Sequence, residues 1–123
     1  MFEEFKREVS PDLIFTHYRH DRHQDHRLVN ELTWNTWRDH TILEYEIPKY
    51  DGDLGQPNVF IPVSAEQVER KVGTVLDVFG SQTSKDWFDA DTLRALMRLR
   101  GVESNAPNRY AEAFYAPKLV LEL

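Results

Sequence analysis

Apolar residues change their period repeatedly along the chain. Phe2, Phe5 and Val9 recur at i, i+3 and i+7, which predicts a short amphipathic helix over residues 2–9. Ser10-Pro11-Asp12 ends it, because proline lacks an amide donor and restricts the residue before it. Leu13, Ile14, Phe15 and Thr16 form a compact apolar and β-branched run that predicts a buried strand. A polar stretch covers residues 17–25. Leu28, Val29, Leu32, Thr36 and Trp37 then return at helical spacing to about Arg38.

The second half repeats this alternation. Residues 41–47 read as a strand closed by Pro48, and the Pro/Gly/Asp-rich residues 48–57 as a loop. Residues 59–63 read as a third strand, placed at a sheet edge by Pro62. Ser64 and Gln67 have capping-box spacing ahead of Val68, Val72, Val75, Leu76 and Phe79. Asp89 or Asp91 caps a further helix that carries Leu93, Leu96 and Met97 and is expected to stop at Gly101. Residues 110–121 are strand-like despite Pro117. Strands alternating with helices make α/β the expected class.

Composition narrows the function classes. At 123 residues and 41% hydrophobic content the chain is long enough for one domain with a real core. Fifteen Lys and Arg against 21 Asp and Glu leave a net charge of −6, which disfavours broad binding to a phosphate backbone, and no nucleic-acid partner is expected. No apolar run approaches the ~20 residues of a membrane span, and the acidic start Phe2-Glu3-Glu4-Phe5 is not a signal peptide. A cytoplasmic location is the corresponding expectation. Cysteine is absent, which removes disulfides, thiolate catalysis and thiolate-ligated zinc. A transition-metal site would have to use His and carboxylates.

That restriction gives weight to residues 17–26, where His17, His20, His23 and His26 recur every third position with Asp21 and Asp25 among them. Imidazole is the commonest zinc ligand, and a catalytic zinc takes three protein ligands plus water. Two of these His with Asp21 or Asp25 would suit one metal. A solvated loop of salt-bridged His, Arg and Asp accounts for the composition equally simply.

The segment His23-Gln24-Asp25-His26-Arg27, between a strand and a helix, resembles the HxDH motif of the PIG-L/LmbE family of zinc-dependent N-acetylglucosaminyl de-N-acetylases. Further blocks follow in family order. Residues 41–46 resemble the strand after that helix, Lys71 with Ser81-Gln82 resembles a K…SQ pattern, and Arg100-Gly101 with residues 110–114 resembles the RG…AEAF ending. The resemblance implies a three-layer Rossmann-like sheet flanked by helices and Zn2+ as cofactor. It implies that His26 is a zinc ligand and that His23 acts on the oxyanion or leaving amine. Asp25 would pair with His23 and raise its basicity. Substrates would be N-acetyl amino sugar conjugates, cleaved to acetate and a free amine.

Two departures qualify what is implied. Where some members carry a Tyr two residues before the first His, this chain has Asp21, available to Arg22, to His23 or to a substrate hydroxyl. The family's HPDDE-type motif, which supplies two further zinc ligands and the general base, does not occur in these 123 residues. On this resemblance residues 1–123 would correspond to the C-terminal part of the family domain. The expected partners are an N-terminal half or a second copy, met through an open sheet edge. The alternative is a non-catalytic remnant, a sugar-binding or interaction module without a complete metal site.

Other candidates read more plainly. Ser81 and Gln82 suit either a helix C-terminus or a substrate-facing position, and Arg22 joins them as a substrate-binding candidate. Glu112 on a strand calls for an ion pair with Arg100, Arg98 or Lys71, since an unpaired buried carboxylate is costly. Trp34, Trp37 and Trp87 read as core. His17 and His20 read as polar loop, and Glu44 and Glu46 as one solvated strand face.

Overall fold

A computed structural model describes residues 1–123. In chain order the elements are α1 (Phe2–Glu8), β1 (Leu13–His17), α2 (Gln24–Trp37), β2 (Thr41–Tyr45), β3 (Val59–Pro62), α3 (Ala65–Val78), a 3-10 turn (Gly80–Gln82), α4 (Ala90–Glu103) and β4 (Ala111–Tyr115). The strands form one mixed sheet in the order β1-β2-β4-β3, with β1 parallel to β2 and β2 antiparallel to β4. This is the α/β class that the alternation of periods predicts, consistent with a Rossmann-like fold, and the Pro62 strand lies at an edge as expected. No helix is long and apolar enough to cross a membrane. The chain divides into two compact units, Met1–Ile47 with Asp53–Asn58 and Phe114–Leu123, and Pro48–Gly52 with Val59–Ala113.

In the first unit, β1 and β2 pair from Leu13↔Thr41 to His17↔Tyr45, and Glu44 lies opposite Tyr115 of β4. Ile42 and Leu43 are buried, but much of this interior is polar. The buried face of α2 is Asn30, Thr33, Thr36 and Trp37. Thr33 Oγ1 lies 3.1 Å from Thr16 Oγ1, and Asn30 Nδ2 donates to the His17 carbonyl at 2.6 Å. Of the stripe expected to face inward, Thr36 and Trp37 are buried, but Leu28 is 54% exposed, and Val29 and Leu32 are also exposed. The predicted buried strand is likewise corrected. β1 is the other edge of the sheet, and Phe15 is 52% exposed with Leu13 beside it. Against Trp37 pack the rings of Phe2 and Phe5 from α1, with centroids 5.9 and 6.0 Å away.

In the second unit, Val68 and Val72 of α3 meet Met97 of α4 in a core flanked by Val63, Leu76, Leu93 and Tyr110. Both capping-box bonds form, Gln67 N to Ser64 Oγ at 3.2 Å and Ser64 N to Gln67 Oε1 at 2.8 Å. Asp89, rather than Asp91, caps α4 by accepting Thr92 N–H at 2.6 Å. Gly101 does not end this helix. It lies inside it, and a Cβ there would stand 2.1 Å from the Arg109 carbonyl carbon. The glycine serves close backbone approach instead of a left-handed cap. The final strand stops at Tyr115, so the strand-like reading of the tail beyond it is also corrected.

Candidate functional site

The site grows from the junction of β1 and α2 in the first unit. His17 is the last residue of β1, His23 is the N-cap of α2 and His26 lies in that helix's first turn. Helical geometry brings His26 back over its own N-terminus, where the strand ends. The three rings stack: His17 on His26 at 4.0 Å with planes 5° apart, and His23 on His26 at 4.4 Å and 25°.

Asp21 organises the loop between them. Its side chain is 2% exposed and accepts the His23 backbone N–H at 2.8 Å through Oδ1. Oδ2 lies 2.9 Å from His26 Nδ1. A carboxylate only accepts, so Nδ1 carries the proton and the His26 lone pair sits on Nε2. Arg27 clasps the same loop, donating to the Asp21 carbonyl at 3.0 Å. Arg22 is exposed, and its backbone N–H donates to Asp53 Oδ2 at 2.6 Å.

Asp25 differs from its expected geometry. The group that meets the His23 ring is the Asp25 backbone N–H, which donates to Nδ1 at 3.2 Å, while the carboxylate stays exposed in the first turn of α2. With Nδ1 accepting, the neutral His23 ring presents Nε2–H outward as a donor. The exposed carboxylate favours the helix N-terminus electrostatically. His20, as expected, is exposed, and its ring meets Tyr18 edge-on at 5.4 Å.

Two further groups from β2 border this site. Glu44 has no exposure, correcting the solvated-face reading. It accepts Arg19 N–H at 3.0 Å, Arg19 Nε at 3.1 Å, Arg19 Nη2 at 3.0 Å and Trp34 Nε1 at 2.8 Å. The second is Tyr45, whose hydroxyl lies 3.2 Å from His17 Nε2. Burial, then the charge of Asp21, pushes its phenol above the ordinary range. Both fall in the strand block of residues 41–46, which assigns neither of them a role. Only the β1–β2 register, which sets His17 opposite Tyr45, places the phenol beside the imidazoles.

The remaining candidates belong to the second unit. Ser81 and Gln82 close α3 in the 3-10 turn, where Gln82 Nε2 reaches Ser81 Oγ at 3.4 Å. Glu112 pairs with Lys71 at 2.5 Å, and both line an open cleft with Arg70, Thr74 and Met97. Arg100 instead contacts Glu103 at 2.9 Å. The ion pair expected for Glu112 is thus made by Lys71. Trp87 meets Tyr50 and Phe88 edge-on, as an aromatic packing residue.

No three His, Asp or Glu side chains converge on a metal-ready position. Within that limit, His26 fits one corner of a His/carboxylate site. Metal-binding imidazoles characteristically donate their other ring N–H to a carboxylate, and His26 does so to a buried one.

No family model and no curated protein matches the chain. Among solved structures, the conserved protein TT1542 from Thermus thermophilus superposes with a TM-score of 0.69 at 19% identity, covering 99% of this chain. At that identity the likeness establishes the fold. The chain spans 58% of the length of that protein.

Proposed function

We propose that this chain supplies the HxDH half of a zinc-dependent de-N-acetylase site acting on N-acetyl amino sugar conjugates. The observation that carries the reading is the Asp21–His26 contact, a buried carboxylate on Nδ1 that leaves Nε2 with a lone pair. His26 would hold the metal, which when bound supplies Lewis-acid polarisation of an acetamide and acidification of water. The chain's own residues do the rest of their part without it. His23 offers Nε2–H to an oxygen that gains charge in the transition state, the task of an oxyanion donor. Asp25 holds that ring by its backbone amide, and Arg22 stands exposed at the loop's rim as a substrate contact.

The further ligands and the general base would come from polypeptide outside these 123 residues. Its docking surface would be the open edge of β1 with Leu13 and Phe15, together with Leu28, Val29 and Leu32 of α2. Apolar surface of this extent favours a partner, and an unpaired strand accepts another.

The test joins the chain to a segment bearing the HPDDE-type motif of a complete family enzyme. Zinc content and acetate release from an N-acetylglucosaminyl conjugate are then measured. One zinc per complex and acetate release are expected, with His26→Ala losing the zinc. His23→Ala should keep zinc and lose about 10²-fold or more in turnover. A complex that takes up no zinc leaves the non-catalytic module as the answer.

A further inference from the structure

The ring of His17 has no role in the chemistry above, yet it makes the closest stacking contact on His26. The centroids are 4.0 Å apart and the planes differ by 5°, against 25° for His23. His17 is itself held from two directions. Its carbonyl accepts Asn30 Nδ2 at 2.6 Å, and its Nε2 meets the Tyr45 hydroxyl at 3.2 Å. The Tyr45 ring lies 4.9 Å from the imidazole, and the two residues are paired in the β1–β2 register.

We propose that His17 is a positioning residue: its ring, anchored by Tyr45, is the shelf that fixes the plane of the His26 imidazole. This rests on reading His26 as the metal donor. The Asp21 contact alone fixes one atom, Nδ1, and leaves the ring able to pivot about that hydrogen bond. Swinging about it would redirect the Nε2 lone pair through a wide arc. A flat partner on one face, with His23 on the other, removes that freedom. A donor aimed before the metal arrives costs less to organise when it binds.

The shelf is a statement about ring geometry, so its test needs no metal. The resonance of the His26 Nδ1 proton is followed in the full chain by nuclear magnetic resonance. A sharp, exchange-protected signal is expected for the wild type and for His17→Phe, which keeps a flat ring without imidazole nitrogens. His17→Leu and His17→Ala, which keep or remove bulk but offer no flat face, should broaden or lose it. Equal protection in His17→Leu and His17→Phe would overturn the proposal, since bulk would then suffice; so would loss in His17→Phe. Should both variants without a flat face fail to fold, Tyr45→Phe decides: a broadened signal supports the anchored shelf and an unchanged one overturns it.

In the complemented protein, His17→Leu should weaken zinc binding by about 10-fold and His17→Phe should restore it, the scale typical of groups behind a ligand. Absence of zinc from the wild-type complex with a protected His26 signal would defeat the deacetylase reading and leave the shelf intact.

Discussion

The Glu44 carboxylate, wholly removed from solvent, accepts the indole N–H of Trp34 at 2.8 Å and shares its other bonds with Arg19. A helix, a strand and the loop that carries Asp21 are thereby tied to one buried charge. Removing its cation leaves the buried charge with only the indole and the backbone amide of residue 19 as donors. Arg19→Ala should therefore cost about 3 kcal/mol in urea denaturation, well above the effect of an ordinary surface arginine. A loss below about 0.5 kcal/mol would show that the indole and the backbone amide suffice.

Asp21→Asn is a nearly isosteric probe of the histidine loop. The carboxylate serves two donors, His23 N–H and His26 Nδ1–H. A carboxamide can accept from one and must turn its own N–H₂ toward the other. A loss of about 2 kcal/mol is expected, accompanied by a change of His26 tautomer visible in its ring nitrogen shifts. A loss of stability without the tautomer change would mean that Asp21 braces the loop and not the ring.

Much of this architecture is legible in the sequence because its causes are local. Ser64 and Gln67 cap by their own spacing, Pro62 cannot donate to a neighbour, and Asp89 precedes a helical run. The order of helices and strands follows from periods alone. The assignment of faces does not. Leu28, Val29 and Leu32 form a helical stripe, but the face of α2 that is buried carries Asn30, Thr33 and Thr36. Periodicity locates an apolar stripe but does not say which face of the helix meets the interior. Glu44, His17 and Tyr45 are hidden for a different reason. Glu44 meets Arg19 across 25 positions and His17 meets Tyr45 across 28, beyond any sequence spacing rule. Asp21, His23 and His26 stand out by motif, although the bond that orients His23 comes from the backbone of Asp25.

Gly101→Ala sets helix propensity against packing. In an open helix alanine would be favoured by about 1 kcal/mol. Here the new methyl would lie 2.1 to 2.3 Å from the Arg109 carbonyl and the Tyr110 nitrogen, which are backbone atoms and cannot turn aside. A net loss of about 3 kcal/mol is expected from thermal melting. A stabilised variant would show that residues 109–110 yield readily.

Alkaline pH should weaken the fold through two phenols. Burial, followed by the charge of Glu44, raises Tyr18, and burial followed by Asp21 raises Tyr45. The folded chain then holds protons that the unfolded chain releases from about pH 10 upward. Stability from these groups is present below that pH and declines as pH rises through their raised values. Tyrosinate difference absorbance should show late-ionising components from Tyr18 and Tyr45. Tyr18→Phe and Tyr45→Phe should each remove one late component.

The exposed stripe of α2 offers a separation of folding from assembly. Leu28→Lys with Leu32→Lys alters two exposed positions, so the stability of the chain alone should change by less than about 1 kcal/mol. Capture of the HPDDE-bearing segment, followed by calorimetry, should fall at least 10-fold. Undiminished capture would move the docking surface elsewhere.

Helix α1 buries none of its residues, and its seven positions reach the rest of the unit through the rings of Phe2 and Phe5 on Trp37 and the Lys6 ammonium on the Thr36 carbonyl at 2.6 Å. So short a helix has little stability of its own. Its amides should exchange with solvent through a local opening far cheaper than global unfolding. Because Trp37 is the residue uncovered by that opening, its fluorescence becomes a built-in gauge of the N-terminal segment, shifting to the red in mild denaturant before the sheet gives way.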